Sequence, residues 1–153
     1  MNNMEKIEIR YLSDLLISPL LNFLYALNDS GDNKYFYPHP FTEEALVQIM
    51  NNVVKDQYYV LVEGSKVIGY GMLRGWDEGY DVPSLGIAIH PSFRNNGFGR
   101  ILINYLHVVA KHMGSKKIRL KVHFDNYKAV NFYKALGYIF EEEGIYLVGI
   151  LEL

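Results

Sequence analysis

The chain has 153 residues, 50% hydrophobic and 21% charged, with a net charge of −2. That length suits one domain with its own core, and the charge balance lacks the basic excess of a general nucleic-acid binder. There is no cysteine, which excludes disulfides, thiolate metal sites and a cysteine nucleophile.

The first residues, Met1-Asn2-Asn3-Met4-Glu5-Lys6, carry no charged-then-apolar secretory pattern. No apolar run reaches membrane-spanning length. The expectation is a cytoplasmic protein without a nucleic-acid or membrane partner, and one domain over residues 1–153. Residues 5–11 alternate, with Ile7 and Ile9 on one face, which predicts a strand. Residues 13–28 are leucine-rich with helical spacing. Pro19 suits a first turn, so the main helix is expected to start with Ser18 as its cap. Residues 28–33 form a loop by composition.

Tyr35, Phe36, Tyr37, Pro38, His39, Pro40 and Phe41 follow. Aromatic rings on a proline-stiffened loop either line a pocket or pin the loop to the core, and the sequence supports both readings equally. Thr42 is expected to cap a second helix, with Glu43 and Glu44 in its first turn and Leu46, Ile49, Met50 and Val53 buried. Residues 58–62 and 67–73 read as a hairpin turning at 63–66. Gly69 and Gly71 share a face of the returning strand, which leaves room for something to lie there or marks a bulge. The loop 74–83 combines the only tryptophan, Trp76, with Asp77, Glu78 and Asp81. Such a loop can hold a polar or cationic substrate; the bland alternative is a solvated surface loop.

Leu85, Ile87 and Ile89 share one face of the next strand and Gly86 and Ala88 the other. His90 ends it; a base is one reading, a strand-end residue with no chemical role the more ordinary one. Then comes Arg94-Asn95-Asn96-Gly97-Phe98-Gly99-Arg100, opening a helix over 97–113. A helix start has N–H groups without intrahelical partners and the positive end of the helix dipole, so it favours an anion. Gly97 and Gly99 let a phosphate approach the backbone, and Arg94 and Arg100 add positive charge. The spacing is neither a dinucleotide fingerprint nor a P-loop.

Phe98, Leu102, Tyr105, Leu106, Val109 and Met113 are expected as the buried stripe of that helix, and Arg100, Asn104, His107 and Lys111 as its wet face. Gly114 ends it. His107 and His112 are not spaced as a metal pair, and no metal is expected. Residues 118–123 alternate as a strand. Asp125 or Asn126 should cap a short helix over 127–136, closed by Gly137, with Tyr133 pointing inward. Residues 138–143 and 145–151 read as a hairpin about Gly144.

The order strand, Arg-x-x-Gly-x-Gly, helix, strand, then Asn126-Tyr127-Lys128-Ala129-Val130-Asn131-Phe132-Tyr133-Lys134-Ala135-Leu136-Gly137-Tyr138 resembles the GNAT superfamily of N-acetyltransferases. Tyr138 stands where that family usually has phenylalanine. The resemblance implies an α/β fold: a central, mostly antiparallel mixed sheet flanked by about four helices. It implies acetyl-CoA as co-substrate. Backbone groups of Ile87, Ala88 and Ile89 would pair with the pantetheine arm as an added strand would. The pyrophosphate would sit on the amides of Asn95, Asn96, Gly97, Phe98, Gly99 and Arg100. Asn126 would hydrogen-bond the arm, and Tyr133 would stand near the thioester sulfur as general acid.

The implied reaction is attack of a primary amine on the thioester. A lysine-like amine has a pKa of about 10.4, so freeing it at pH 7 costs about 4–5 kcal/mol, and a base is useful. Glu78 and Asp81 are the candidates; the position where some family members carry a glutamate is Pro83 here. A thiolate with pKa near 8.5 cannot fully deprotonate a phenol near 10 without about 2 kcal/mol of cost, so Tyr133 should share its proton with the sulfur. Tyr35, Tyr37, Trp76 and Glu78 are expected to contact the acceptor. An amino sugar is suggested by similarity of the Trp76 loop to loops in GNAT proteins of bacterial sugar and polysaccharide pathways. A polyamine, an amino acid, a protein amine and a non-catalytic acyl-CoA-binding module stay open, as does monomer or homodimer.

Overall fold

The computed structural model describes residues 5–153. Met1, Asn2, Asn3 and Met4, part of the N-terminal stretch read above, lie outside the described residues. Seven strands make one sheet: β1 (Ile7–Tyr11), β2 (Gln57–Glu63), β3 (Lys66–Arg74), β4 (Ser84–Ile89), β5 (Lys117–His123), β6 (Ile139–Glu143) and β7 (Tyr146–Glu152). Four α-helices accompany them: α1 (Ile17–Asp29), α2 (Glu43–Asn52), α3 (Phe98–His112) and α4 (Tyr127–Ala135). The sheet order is β1-β2-β3-β4-β5-β7-β6, antiparallel everywhere except between β4 and β5. This is the mixed, mostly antiparallel α/β sheet expected.

Strand alternation sends the core to two faces. Tyr58, Val60, Val62, Tyr70 and Met72 pack with Leu20, Phe23, Leu24 and Leu27 of α1 and Leu46 of α2. On the opposite face, Tyr59, Leu73, Leu85, Ile118, Leu120 and Val122 pack with Ile103, Leu106 and Ala110 of α3 and Val130 and Tyr133 of α4. Each face thus buries one pair of helices.

Local chemistry accounts for the helix ends. Thr42 accepts a hydrogen bond from the Ala45 amide at 3.2 Å, an N-cap as expected. α1 starts at Ile17, after a 3₁₀ turn over Asp14–Leu16, rather than being capped by Ser18. Pro19 is its third residue, where its missing N–H has no intrahelical partner to lose. α4 ends in a Schellman motif: Gly137, at φ 103°, donates to the Lys134 carbonyl and Tyr138 to the Tyr133 carbonyl. Gly137 is needed there because its conformation is left-handed.

The buried stripe of α3 is rotated from expectation. Leu102, Ile103, Leu106 and Ala110 are buried, while Tyr105 and Met113 are each 38% exposed. The cause is the Gly69/Gly71 face of β3, where the helix seats closely. A Cβ on Gly71 would lie 2.9 Å from Leu106 Cδ1 and 3.3 Å from Leu102 Cγ. The space left by the two glycines is therefore filled by α3, and a register shift at Leu61/Val62 in β2 lies beside it. His107, expected on the wet face, is partly covered, and its Nε2 lies 2.7 Å from Tyr138 Oη.

Two outcomes follow for stability. Leu106→Ala should lower the unfolding free energy by about 2–5 kcal/mol in urea titration, because the side chain is fully buried and seated against Gly71. Stability should also fall as pH is lowered from 7.5 to 5.5. Burial pulls the imidazoles of His39 and His107 below their ordinary range, so the native state resists protons that the unfolded chain takes up near pH 6.5. The unfolded state then binds more protons in that window, and the urea midpoint should drop with acidification.

Candidate active site

The parallel strands β4 and β5 touch at one register point, Ser84 against Arg119. Arg119 N–H donates to the Pro83 carbonyl at 2.9 Å and its Nη1 to Ser84 Oγ at 3.2 Å. Beyond that vertex the strands part. The gap opens into a cavity of about 710 Å³, walled by residues 85–89 of β4, residues 120–122 of β5, the start of α3 and the inner side of α4.

Backbone direction decides what this gap offers. His90 N–H donates to the Ile68 carbonyl at 2.8 Å. The β3/β4 register is continuous, so Ala88 and Gly86 also aim their backbone groups at β3. Ile87 and Ile89 alternate with them and aim theirs at the gap. Ala88 therefore differs from its two neighbours: it lines the cavity, but its N–H and C=O belong to the sheet.

The β4–α3 loop forms one end of the cavity. Asn95 has φ 64° and Gly97 φ 84°, both left-handed. A side chain at Gly97 would meet open space, so conformation rather than crowding selects glycine there. Gly97 occupies the N-cap position of α3 and has no side chain to cap it, so the first amides of the helix stay free. A Cβ on Gly99 would meet Ile89 Cγ1 and Phe132 Cζ at 3.8 Å. Asn96 turns away from the cavity and donates from Nδ2 to the Phe93 and Arg94 carbonyls, bracing the loop. His90 Nδ1 accepts from the Ser92 amide, so this histidine caps the turn Pro91–Phe93.

Arg94 and Arg100 do different things. Arg94 Nη2 donates to Asp32 at 2.8 Å and its Nε to the Ile89 carbonyl at 3.2 Å. It ties the segment after α1 to the end of β4. Burial alone would raise the Asp32 carboxyl, but the hydrogen bonds from Arg94 and Ser30 and the charges of Arg94 and Lys34 outweigh it and hold it below the ordinary range. Arg100 lies over the Phe132 ring, 6.0 Å from its centroid, and lines the cavity.

Asn126 occupies the N-cap position of α4, yet its side chain does not cap, contrary to expectation, and it lines the cavity. Asp125 does not cap either; its carboxylate lies 2.5 Å from His123 Nδ1. Tyr133 is 9% exposed and lines the cavity from α4. The ring of Tyr138 meets it edge-on at 5.7 Å, brought there by the Gly137 turn. Burial pushes the Tyr133 phenol up, so it stays protonated over the working range.

The expected acceptor residues separate. Tyr35 and Phe36 line the cavity. Tyr37 does not; it is 61% exposed and packs on Phe41 at 5.1 Å. Its loop is held by Arg74, which donates to the Pro38 carbonyl at 2.6 Å, and by His39 against Tyr70 Oη at 2.9 Å. Trp76 packs into the α3/α4-side core, and Glu78 and Asp81 are exposed; none of the three walls the cavity. The reason is Asp77. Its carboxylate accepts from the Val54 and Lys55 amides at 3.0 and 2.7 Å, and its own amide donates to Asp56. That clamp draws the loop to the end of α2, away from the gap.

Cavity residues that sequence reading passed over include Asp32, Lys121, Asp125, Lys128 and Phe132. Lys121 was accessible to it as an outward position in an alternating strand, and Phe132 as the neighbour of Tyr133. Asp32 carried no such signal, because its partner is 62 residues away. Among the described residues no group of three or more His, Asp or Glu could hold a metal, and no helix is long and apolar enough to cross a membrane.

Comparison with known proteins bears on the family and the fold. The acetyltransferase (GNAT) family model matches residues 23–138. An uncharacterized N-acetyltransferase, ycf52, from Pyropia yezoensis is 24% identical over 142 residues, 92% of this chain and 78% of that protein. The thialysine N-epsilon-acetyltransferase of Mus musculus is 38% identical over 79 residues, 49% of this chain and 46% of that one. Among solved structures, the PaiA N-acetyltransferase of Thermoplasma acidophilum in complex with coenzyme A superposes with a TM-score of 0.77 at 18% identity, covering 97% of this chain and 99% of that one. The spermidine N-acetyltransferase of Vibrio cholerae, in complex with CoA and spermine, gives 0.75 at 21% identity, covering 96% and 94%. A family model spanning most of the chain, on the mixed sheet described above, shows that this protein belongs to the acetyltransferase (GNAT) family and is an acetyl-CoA-dependent acyltransferase.

Proposed function

We propose that the chain transfers the acetyl group of acetyl-CoA to the primary amine of a small-molecule acceptor by direct attack. The observation that carries this reading is the parting of β4 and β5 beside a free-amide loop at one end and a buried phenol at the wall.

The residues fit a nucleotide thioester. Four cations, Arg94, Arg100, Lys121 and Lys128, line the cavity against two carboxylates, Asp32 and Asp125. That excess suits a polyanion. The amides from Asn95 to Arg100 would take the diphosphate, with the Asn96 side chain bracing the loop from behind. The gap-facing groups of Ile87 and the Ile89 amide would take the amide arm, the Ile89 carbonyl being held by Arg94, and Asn126, unused as a cap, would hydrogen-bond it. Ala88 contributes a small wall. When bound, the thioester supplies an activated acyl carbon. A β4 amide would receive the negative charge that develops on the carbonyl oxygen. Tyr133, held protonated by burial, shares its hydrogen with the departing sulfur, and full transfer from it is more uphill than in water.

The acceptor side is walled by Tyr35 and Phe36. The Vibrio neighbour is named for spermidine and the mouse relative for thialysine, so a polyamine and a lysine-like amino acid join an amino sugar in the acceptor panel. Glu78 and Asp81 are exposed and off the wall, so we assign neither of them the role of base. We read residues 1–153 as one catalytic unit, a monomer or homodimer, working in the cytoplasm, a setting that a cysteine-free chain suits.

The test is thiol release from acetyl-CoA across spermidine, thialysine, glucosamine and n-butylamine, alongside calorimetric binding of CoA. Release with at least one amine supports the reading. Binding with no release for any amine makes the chain an acyl-CoA-binding module instead. Tyr133→Phe should lower kcat at least tenfold while the CoA dissociation constant stays within about twofold, as expected for a proton contribution lost only during reaction. Gly97→Ala forces a Cβ into a left-handed conformation that costs about 1–2 kcal/mol, so CoA affinity should fall about tenfold if the loop gives up its amide geometry.

A further inference from the structure

The acceptor wall and the diphosphate loop come from distant parts of the chain, yet one ion pair joins them. Tyr35 and Phe36, on the segment after α1, wall the acceptor side. Neither belongs to a strand, so the sheet ladder does not hold them. Their amides both donate to one acceptor, the Asp32 backbone carbonyl, at 3.0 and 3.1 Å. Two donors fill both lone pairs of that oxygen, so the placement of Asp32 sets the placement of the wall.

Asp32 is fixed in turn by its side chain. Its Oδ2 accepts from Ser30 Oγ and, at 2.8 Å, from Arg94 Nη2. Ser30 is two residues away, so that bond is local. Arg94 is the tie to the rest of the molecule: among the described residues it makes the only ion pair of the segment 30–36. The other tethers of the wall are between rings, Phe36 edge-on to Tyr70 at 6.2 Å and Tyr35 tilted against His123 at 5.9 Å.

Arg94 has room for a second partner. It precedes Asn95, the first of the amides assigned to the diphosphate, and its Nε donates to the Ile89 carbonyl at 3.2 Å. With Nε and Nη2 engaged, Nη1 has no protein partner among the described residues, and Arg94 lines the cavity. A guanidinium is a planar fork, so one side can stay on Asp32 while Nη1 meets a phosphate oxygen.

We propose that Asp32 is a positioning residue that ties the acceptor wall to the diphosphate loop through Arg94, so that coenzyme and amine bind cooperatively. The proposal rests on the amine-acetylation reading. A bound diphosphate steadies the guanidinium, the guanidinium steadies Asp32, and the Asp32 carbonyl steadies Tyr35 and Phe36 for the amine. Such coupling is reciprocal: a seated amine tightens the coenzyme by the same factor. The paired side chains are 41% and 27% exposed, so the pair adds little to global stability and its variants should fold.

The test compares wild type, Asp32→Asn, Arg94→Gln and the double variant at saturating acetyl-CoA, with the panel amine of highest kcat/KM. Asp32→Asn should raise the amine KM about fivefold while kcat stays within about twofold. Arg94→Gln should raise that KM by a similar factor, and the double variant no further than the larger single effect. A second readout needs no turnover: hydrogen exchange at the Tyr35 and Phe36 amides. Adding CoA to wild type should slow it; in either single variant it should start about fivefold faster, and CoA should no longer slow it. KM effects that add in the double variant overturn the proposal and leave acetyl transfer standing, as do exchange rates equal to wild type. KM effects of opposite sign in the two single variants also overturn it, since they make Asp32 a direct partner of the ammonium that Arg94 competes for. Wild-type protein that binds CoA but acetylates no amine overturns both.

Discussion

The structure turns on two parallel strands that pair once and then separate. β4 and β5 are the only parallel neighbours among the described strands, joined through α3 rather than by a tight turn. Backbone N–H and C=O groups left without a partner must find one in water or in a ligand. Past Ser84 and Arg119, the gap-facing groups of Ile87 and the Ile89 amide have no opposing strand, while the Ile89 carbonyl is taken by Arg94. The sheet thus carries a backbone-recognition edge in its interior, beside the cavity, rather than at its rim. An edge strand at the rim would offer the same groups to any passing chain. Here the shape of the gap restricts what can use them.

The gap is held open by packing on both sides. α3 cannot drift away from β4, because Leu102 and Leu106 are seated in the Gly69/Gly71 hollow of β3. β5 is fixed by a full ladder to β7 and by Ile118, Leu120 and Val122 beneath α3 and α4. The vertex is locked twice, by the Arg119 amide on Pro83 and the Arg119 side chain on Ser84. The walls are thus set by core contacts formed during folding, and a ligand meets a largely made site.

Much of this could be read from residues alone. The strand and helix order followed from periodicity, and the loop at Gly97 from glycine spacing before an amphipathic helix. Two kinds of feature escaped. The first is helix rotation: large residues such as Tyr105 and Met113 looked like core, whereas seating Leu102 and Leu106 on the glycines turns Ile103 and Ala110 inward instead. The second is long-range tethering. The 74–83 loop had the composition of a binding loop, but Asp77 spends its carboxylate on the amides of Val54 and Lys55. Arg94 looked like a free phosphate ligand, but it is shared with Asp32 and the Ile89 carbonyl. Neither partner is visible in a local window, since each depends on where the chain returns.

The sheet also sorts side chains by task. Along β5, Ile118, Leu120 and Val122 point to the α3/α4 face, where Tyr133 is buried. Lys121 and His123 alternate to the other face, where Tyr35 and the segment after α1 lie. The buried face suits a group that must hold its hydrogen until a bond to sulfur breaks, because burial raises the Tyr133 phenol. The other face suits a polar acceptor, because Asp32, Tyr35 and Lys121 stand on the cavity wall there in place of packed aliphatic side chains.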